Sequence, residues 1–379
     1  MRKSVVLAVV LFTTFSAFAG GNGEVRRNER AIQDKYIVVF EDSVNDVKGT
    51  ANALAHIHGG AVGYIYESAI KGFSVTLPAH AAKALAGHAE VQYVEEDGVV
   101  TADTTQSGAT WGLDRIDQRS LPLSGTFTYT YTGTGVRAYV IDTGIRTSHT
   151  QFGGRASAVY DAFGSNGQDC NGHGTHVAGT IGGSTYGVAK NAYLRAVRVL
   201  DCNGSGSNSG VIAGVDWVRA NHIKPAVANM SLGGGASSAL DTAVNNAINA
   251  GVTFAIAAGN SNTDACTTSP ARVGAAITVG STTSSDARSS FSNYGVCLDL
   301  FAPGSSITSA WASCDTCTNT ISGTSMATPH VAGVAALYLH RFGNQTAGTV
   351  RNALVSNATT GVVTNAGSGS PNRLLFTNY

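Results

Sequence analysis

The chain has 379 residues, long enough for two or three domains with sizeable cores, and its 24 Lys+Arg balance 24 Asp+Glu. Only 13% of residues are charged, without a basic surplus or an acidic tail, which argues against nucleic acid as a partner and against a solvating role. The 46 glycines follow no Gly-X-Y period, so they imply tight turns and close backbone approaches, not a fibre.

Residues 1–19 read as a signal peptide: Met1-Arg2-Lys3 is the charged start, Val5 to Phe15 the apolar segment, and Ala17-Phe18-Ala19 an A-x-A cleavage site. The apolar segment is too short for a stable span and no later run approaches about 18 apolar residues, so a secreted, extracellular protein without a membrane partner is expected. Residues 20 to about 30 are polar and are expected to be unstructured. A small module then follows, with a strand at Tyr36 to Phe40, a helix from Val47 to His58 stopped by Gly59-Gly60, a strand from Ile70 to Leu77, a helix from Ala79 to Gly87 and a strand from Val91 to Glu95. The order reads as a split βαβ, ferredoxin-like α+β unit. Thr101 to Gly108 lacks apolar anchors and is the expected linker, with a cut near Asp103. The expected division is therefore signal peptide 1–19, propeptide 20–103 and main domain 104–379.

Beyond Trp111 strands and helices alternate. Val136 to Ile141 is a strand ending at Asp142, His173 to Ile181 a helix and Tyr193 to Val199 a strand. Val211, Val215 and Val218 mark a helix face, Ala226 to Met230 is a strand, and Leu240, Val244 and Ile248 mark a helix stopped by Gly251. Val252 to Ala258 and Ala276 to Val279 are strands, and a long helical pattern follows Ser325. Such alternation predicts an α/β fold, a mostly parallel sheet with helices on both faces. Ligands then bind at loops beyond the strands' carboxyl ends.

Ser325, in Ile321-Ser322-Gly323-Thr324-Ser325-Met326-Ala327-Thr328-Pro329-His330, is expected at a helix N-terminus, where unpaired N–H groups and the dipole favour a developing oxyanion. Gly323 would allow a tight turn, and Pro329 is tolerable only near a helix start. A serine cap is the plain alternative. Asp142 stands at a strand end in Val140-Ile141-Asp142-Thr143-Gly144, and His173 lies in Asn171-Gly172-His173-Gly174-Thr175-His176. Imidazole accepts and returns a proton near neutral pH, and His173 and His176 lack the Glu of an HExxH zinc motif. Asn260 follows the strand Ala255 to Gly259, where its amide could donate to an oxyanion or merely shape a turn.

Asp, His, Asn and Ser in that order, each in a glycine-flanked loop, resemble the subtilisin-like serine proteases over essentially everything after Trp111. Trp111 to Asp117, Asp169 to His176, Tyr186 to Ala189 and Ser289 to Gly295 are similar to the proteinase K branch, nearest the bacterial aqualysin type. The resemblance implies that Ser325 is the nucleophile, His173 the general base and acid, Asp142 its orienter, and Asn260 with the Ser325 N–H the oxyanion hole. It also implies that the module from residue 31 to about 100 is an inhibitor-like propeptide, an intramolecular chaperone later cut away. Peptide and protein substrates are expected to add as a strand along Gly204, Ser205, Gly206, Ser207 and Ser231, Leu232, Gly233, Gly234. Ala257, Ala258, Gly259, Gly233 and Gly234 are expected to line a roomy apolar pocket without an acidic residue, favouring aliphatic and aromatic side chains in a broadly specific monomeric endopeptidase. Asn208 stands where the proteinase K pattern has an aromatic.

Six cysteines allow fifteen pairings. By resemblance Cys170 pairs with Cys202 and Cys266 with Cys297, each closing a loop of about thirty residues and contributing ~3–4 kcal/mol. Cys314 and Cys317 remain, and in an exported chain form a local disulfide in preference to a redox or metal pair. Members of the family usually carry structural calcium (Ca2+), which the chemistry itself does not need. One expected set of ligands is Asp299 with the carbonyls of Gly274 and Ala276, hard oxygens as calcium requires. Asp114, Asp117 and Gln118 form a second, with Ser120 and Gly125 where further oxygen-bearing side chains would be expected. Two alternatives stand beside the peptidase: an esterase or acyltransferase with the same residues, and an inactive binding or inhibitor protein on the same scaffold.

Overall fold

The structure is a computed structural model of the chain and describes residues 25–28, 31–100 and 104–379. The expected signal peptide and the cut near Asp103 lie outside the described residues. The chain separates into two units, residues 1–101 and 102–379.

The first unit runs β1 (Val25–Arg26), β2 (Ala31–Phe40), α1 (Val47–Ile57), β3 (Ala61–Tyr66), β4 (Gly72–Thr76), α2 (Ala79–Leu85) and β5 (Val91–Gly98). Its sheet has the order β1-β5-β2-β4-β3. Asp46 caps α1 by accepting the Gly49 N–H at 2.8 Å, and Val38, Phe40, Leu54, Phe73, Leu85 and Val94 form the core. The split βαβ order is present. Its third element, Ala61–Tyr66, has no span in the sequence reading; it is apolar or aromatic apart from Gly63, yet no residue of it is fully buried. Val25–Arg26, expected to be unstructured, instead pairs in parallel with Val94 and Glu95.

The second unit continues with β6 (Thr104–Ser107), α3 (Trp111–Ile116), β7 (Thr126–Tyr129), β8 (Arg137–Asp142), β9 (Ala156–Asp161), α4 (His173–Gly182), β10 (Tyr193–Arg198), α5 (Asn208–Asn221) and β11 (Ala226–Met230). It then runs β12 (Gly234–Gly235), α6 (Ser238–Asn249), β13 (Thr253–Ala257), β14 (Thr268–Ser269), β15 (Ile277–Thr282), β16 (Leu300–Pro303), β17 (Ile307–Ala310) and β18 (Thr318–Ile321). Last come α7 (Thr324–Phe342), α8 (Ala347–Asn357), β19 (Thr359–Thr360) and β20 (Arg373–Leu374). Part of the expected linker is thus strand, because β6 pairs antiparallel with β7.

The main sheet has the order β19-β20-β16-β15-β13-β11-β8-β10-β9 and is parallel except at β19–β20. Alternate residues of β8 point to opposite faces: Ala138 and Val140 join the core beneath α4 and α7, whereas Tyr139 and Ile141 join that beneath α5 and α6. Burial on both faces makes its strands read as nearly continuous apolar runs. From β8 the chain leaves to β9 and β10 on one side and returns to β11 on the other. That reversal opens a crevice at the carboxyl end of β8, where Asp142 sits.

Pro329 lies six residues into α7, deeper than the start expected for it. A proline there removes the N–H that would bond the carbonyl of Ser325. Ser231 Oγ supplies the missing donor, at 2.8 Å, so the interruption ties α7 to the loop after β11.

Candidate active site

The Asp142 carboxylate, at the end of β8, is buried; its Oδ1 accepts the Thr143 N–H at 2.7 Å and lies 2.8 Å from His173 Nδ1. Nδ1 therefore carries the proton, and Nε2 is left as the acceptor facing the cleft. Burial opposes the imidazolium. The Asp142 charge and hydrogen bond, helped by Asp169, outweigh it and hold the pKa of His173 above its ordinary 6.5.

His173 opens α4, and its position depends on neighbours on both sides. Gly172 has φ +114°, and a Cβ there would lie 2.4 Å from the Trp311 ring, so only glycine lets the helix start against that indole. Asp169 accepts the N–H groups of Asn171, Gly172 and Thr175 as well as the hydroxyls of Thr143 and Thr175, fastening the loop to the strand that carries Asp142. His176 faces away, its Nε2 donating to the carbonyls of Ile307 and Asn319, and burial pushes its pKa down to about 4.

Ser325 is the second residue of α7. Thr324 N donates to Asn260 Oδ1 at 2.8 Å, and Met326 N and Ala327 N reach the Gly323 carbonyl. Among the described residues the Ser325 N–H has no partner. The first turn of the helix thus leaves one donor free beside the hydroxyl. Asn260 Oδ1 accepts both the N–H and the hydroxyl of Thr324, which leaves its amide Nδ2 as the second free donor. Gly323 is extended at φ 166°, not in the tight turn expected. What it supplies is space: a Cβ would stand 3.5 Å from Ser325 N and 3.6 Å from Asn260 Nδ2. Two N–H groups flanking an open position can stabilise charge that develops on a carbonyl oxygen.

The Ser325 hydroxyl donates to the Ser231 carbonyl at 3.1 Å, and among the described residues it makes no hydrogen bond to His173. Ser231 Oγ is itself held by Asn229 Nδ2 at 2.9 Å. Ser231 and Ser325 therefore form a reciprocal pair through side chain and carbonyl.

The cleft has two lobes that share Leu232, Gly233 and Gly234. One, of about 490 Å³, is lined by His173, the stretch Gly204 to Asn208, Ser231 and the apolar Leu200, Val211 and Leu240. The other, of about 370 Å³, runs past Ala257, Gly259, Asn260, Thr268, Asn293 and Thr324 to Ser325, with no carboxylate or cationic side chain on its wall. Ala258, expected as lining, is buried behind this wall, and its carbonyl accepts Asn293 Nδ2. Gly234 also pairs with Ser269, so one backbone edge there is already used.

Sequence reading missed the residues that hold these groups in place. Asn293 Oδ1 accepts the N–H groups of Ser261 and Thr263, clamping the loop that carries Asn260, and Gly259, at φ +103°, leaves room for its amide. Thr324 and Asp169 belong with it. Their only signal was membership of quoted motifs, because each acts through contacts far along the chain.

The structure pairs Cys170 with Cys202, Cys266 with Cys297 and Cys314 with Cys317. Asp114 accepts the N–H and hydroxyl of Ser124 and the N–H of Gly125. Asp117 Oδ2 accepts Thr128 N at 2.6 Å, whereas its Oδ1 is buried without a partner. Gln118 donates to the carbonyls of Ser120 and Pro122. Asp299 Oδ2 accepts Thr278 N, and its Oδ1 and the Ala276 carbonyl are both bonded by Arg351.

An aspartate at a parallel-strand end hydrogen-bonded to a histidine that opens one helix, with a serine at the start of another helix in the same cleft, is the set of side chains that serine hydrolases use. The profile of the subtilase family matches residues 133–374, and that of the peptidase inhibitor I9 family matches residues 35–103. The chain belongs to the subtilase family and is a serine endopeptidase with an I9-type propeptide. It is 64% identical over 372 residues to an extracellular serine proteinase of Thermus sp. (strain Rt41A), covering 92% of this chain and 90% of that protein. It is 53% identical to the alkaline serine exoprotease A of Vibrio alginolyticus, covering 91% of this chain and 68% of that one. The crystal structure of a cold-adapted subtilisin-like serine proteinase, 60% identical, matches with a TM-score of 0.70 over 72% of this chain and all of its own. Among the described residues no helix is long and apolar enough to cross a membrane.

Proposed function

We propose that this protein is exported as a precursor, cuts itself between the two units near Asp103, and hydrolyses peptide bonds with broad specificity through an acyl-enzyme on Ser325. The observation that carries the reading is the 2.8 Å contact of His173 Nδ1 with the buried Asp142, in a cleft that continues to a serine beside two free N–H donors. A turn of the Ser325 side chain from the Ser231 carbonyl hands its proton to His173 Nε2 as Oγ attacks the scissile carbonyl. The oxyanion forms between Ser325 N–H and Asn260 Nδ2. His173 then protonates the leaving amine, and water repeats the sequence to release the acid. The propeptide acts as chaperone and inhibitor until it is cut.

Substrate lies as an added strand between Gly204–Ser207 and Ser231–Gly234, and main-chain pairing tolerates many sequences. The second lobe takes the side chain preceding the cut; with no carboxylate to pair a cation, aliphatic and aromatic residues are preferred over Lys and Arg. A serine-directed phosphonate is expected to label Ser325, and a mixed peptide library to be cut after such residues. Absence of the adduct would return the chain to the binding-protein reading, and cleavage confined to small esters would favour an esterase.

Subtilases commonly bind structural calcium. Of the two expected ligand sets, Asp114, Asp117 and Gln118 fit an ion, because Asp117 Oδ1 is buried and unpartnered. The ion would lend stability only, since it binds the folded form. Chelation is therefore expected to lower the melting temperature, by the equivalent of about 2.7 kcal/mol if calcium stood at a hundred times its dissociation constant. Asp117→Asn should abolish most of that sensitivity; a melting temperature indifferent to chelator refutes the assignment.

A further inference from the structure

We infer that the guanidinium of Arg351 is a built-in counter-cation at Asp299, standing where the resemblance called for calcium. The inference is independent of the reading of the catalytic cleft. The set Gly274, Ala276 and Asp299 was expected to offer hard oxygens to a metal ion. Two of those oxygens are already engaged by one side chain: Arg351 Nη2 donates to Asp299 Oδ1 at 2.5 Å and Nε to the Ala276 carbonyl at 3.2 Å. The other carboxylate oxygen accepts Thr278 N at 2.8 Å, and the Asp299 N–H returns to the Thr278 carbonyl at 2.9 Å.

The Asp299 side chain is 8% exposed, so its charge needs a partner, and the planar fork of arginine meets a carboxylate and a carbonyl together. Calcium would need six to eight oxygens in the same place, close to a fixed positive charge. The arginine is delivered by α8, which is anchored by buried Ala347, Val350 and Leu354. It therefore reaches back 52 residues to Asp299 and 75 residues to Ala276, bracing the segment between β14 and β15. Thr268 of the cleft wall begins that segment. Support of this wall is then independent of free calcium, whatever ion Asp117 holds.

Calcium binding by the full chain, made resistant to self-digestion by Ser325→Ala, tests the idea. The parent and Asp299→Asn are expected to bind the same number of ions by calorimetry. Arg351→Met should gain one, which the double variant Arg351→Met/Asp299→Asn loses again, while Arg351→Lys stays at the parent's count. Loss of one ion on Asp299→Asn alone, or a folded Arg351→Met that gains none, overturns the inference. If neither variant folds, parent crystals grown in millimolar calcium decide by anomalous scattering. An ion on Asp299 refutes the inference, and a guanidinium with no ion supports it.

Discussion

Ser325→Ala is expected to lower kcat by about 10⁶, the loss measured for the nucleophile of subtilisin, the type member of this family. The physical reason is that an acyl-enzyme cannot form without Oγ, while the free N–H of Ser325 and the amide of Asn260 remain to give a small residual rate. Stability should change little. The hydroxyl makes one hydrogen bond, to the Ser231 carbonyl, and Ser231 Oγ still bonds the Ser325 carbonyl in the variant. The same protein should keep residues 20 to about 103 attached, since the proposed processing is autocatalytic. Mass spectrometry of the purified variant checks this. Normal processing would mean that another protease makes the cut, and an unchanged rate on peptides would remove Ser325 from the mechanism.

The second large effect is expected from Asp142→Asn, about 10⁴ in kcat, the magnitude known for the same aspartate-to-asparagine change in a chymotrypsin-type triad. The geometry explains why a change of one atom matters. The buried Asp142 lies 2.8 Å from His173 Nδ1, and in the proposed mechanism it fixes the proton there and stabilises the imidazolium once the Ser325 proton has been taken. An amide in its place can donate to Nδ1 and reverse the tautomer. Asp142 is also the main influence holding the pKa of His173 above 6.5 against burial. Since the base must be neutral, kcat/KM of the parent should fall as pH drops through that raised pKa. In the variant the pKa falls, so the acid limb of the residual activity should move to lower pH. A profile that keeps the parent's acid limb would show that some other group sets it.

Residues proposed to act at a strand end or a helix start were legible in the chain. Asp142 follows the apolar run Ala138 to Ile141, His173 and Ser325 precede apolar helical patterns, and each loop is marked by glycine because backbones approach closely there. The alternation of such segments also predicted the parallel sheet. Elements at the exposed edges of the first unit's sheet escaped. The strand at Ala61–Tyr66 has no buried residue, and the two-residue β1 is placed by its pairing with β5 and by Val25 packing against the core. Pro329 was misplaced as a helix-start residue because the donor that replaces its missing N–H, Ser231, lies 94 positions from the Ser325 carbonyl it bonds.

The sequence by itself determined the class of fold and the division into two units, and it singled out the three groups proposed to relay a proton, since local periodicity and strand or helix ends are properties of neighbouring residues. Only the tertiary structure decided how those groups are aimed: Asn293 and Thr324 orient Asn260, Asp169 ties the His173 loop to Thr143, and Ser231 holds both the carbonyl and the hydroxyl of Ser325. It also put a guanidinium on Asp299 where oxygen ligands alone suggested a metal. These partnerships join a side chain to a distant backbone or charge, and a hydrogen bond between residues far apart in sequence leaves no period for a reader of the chain to find.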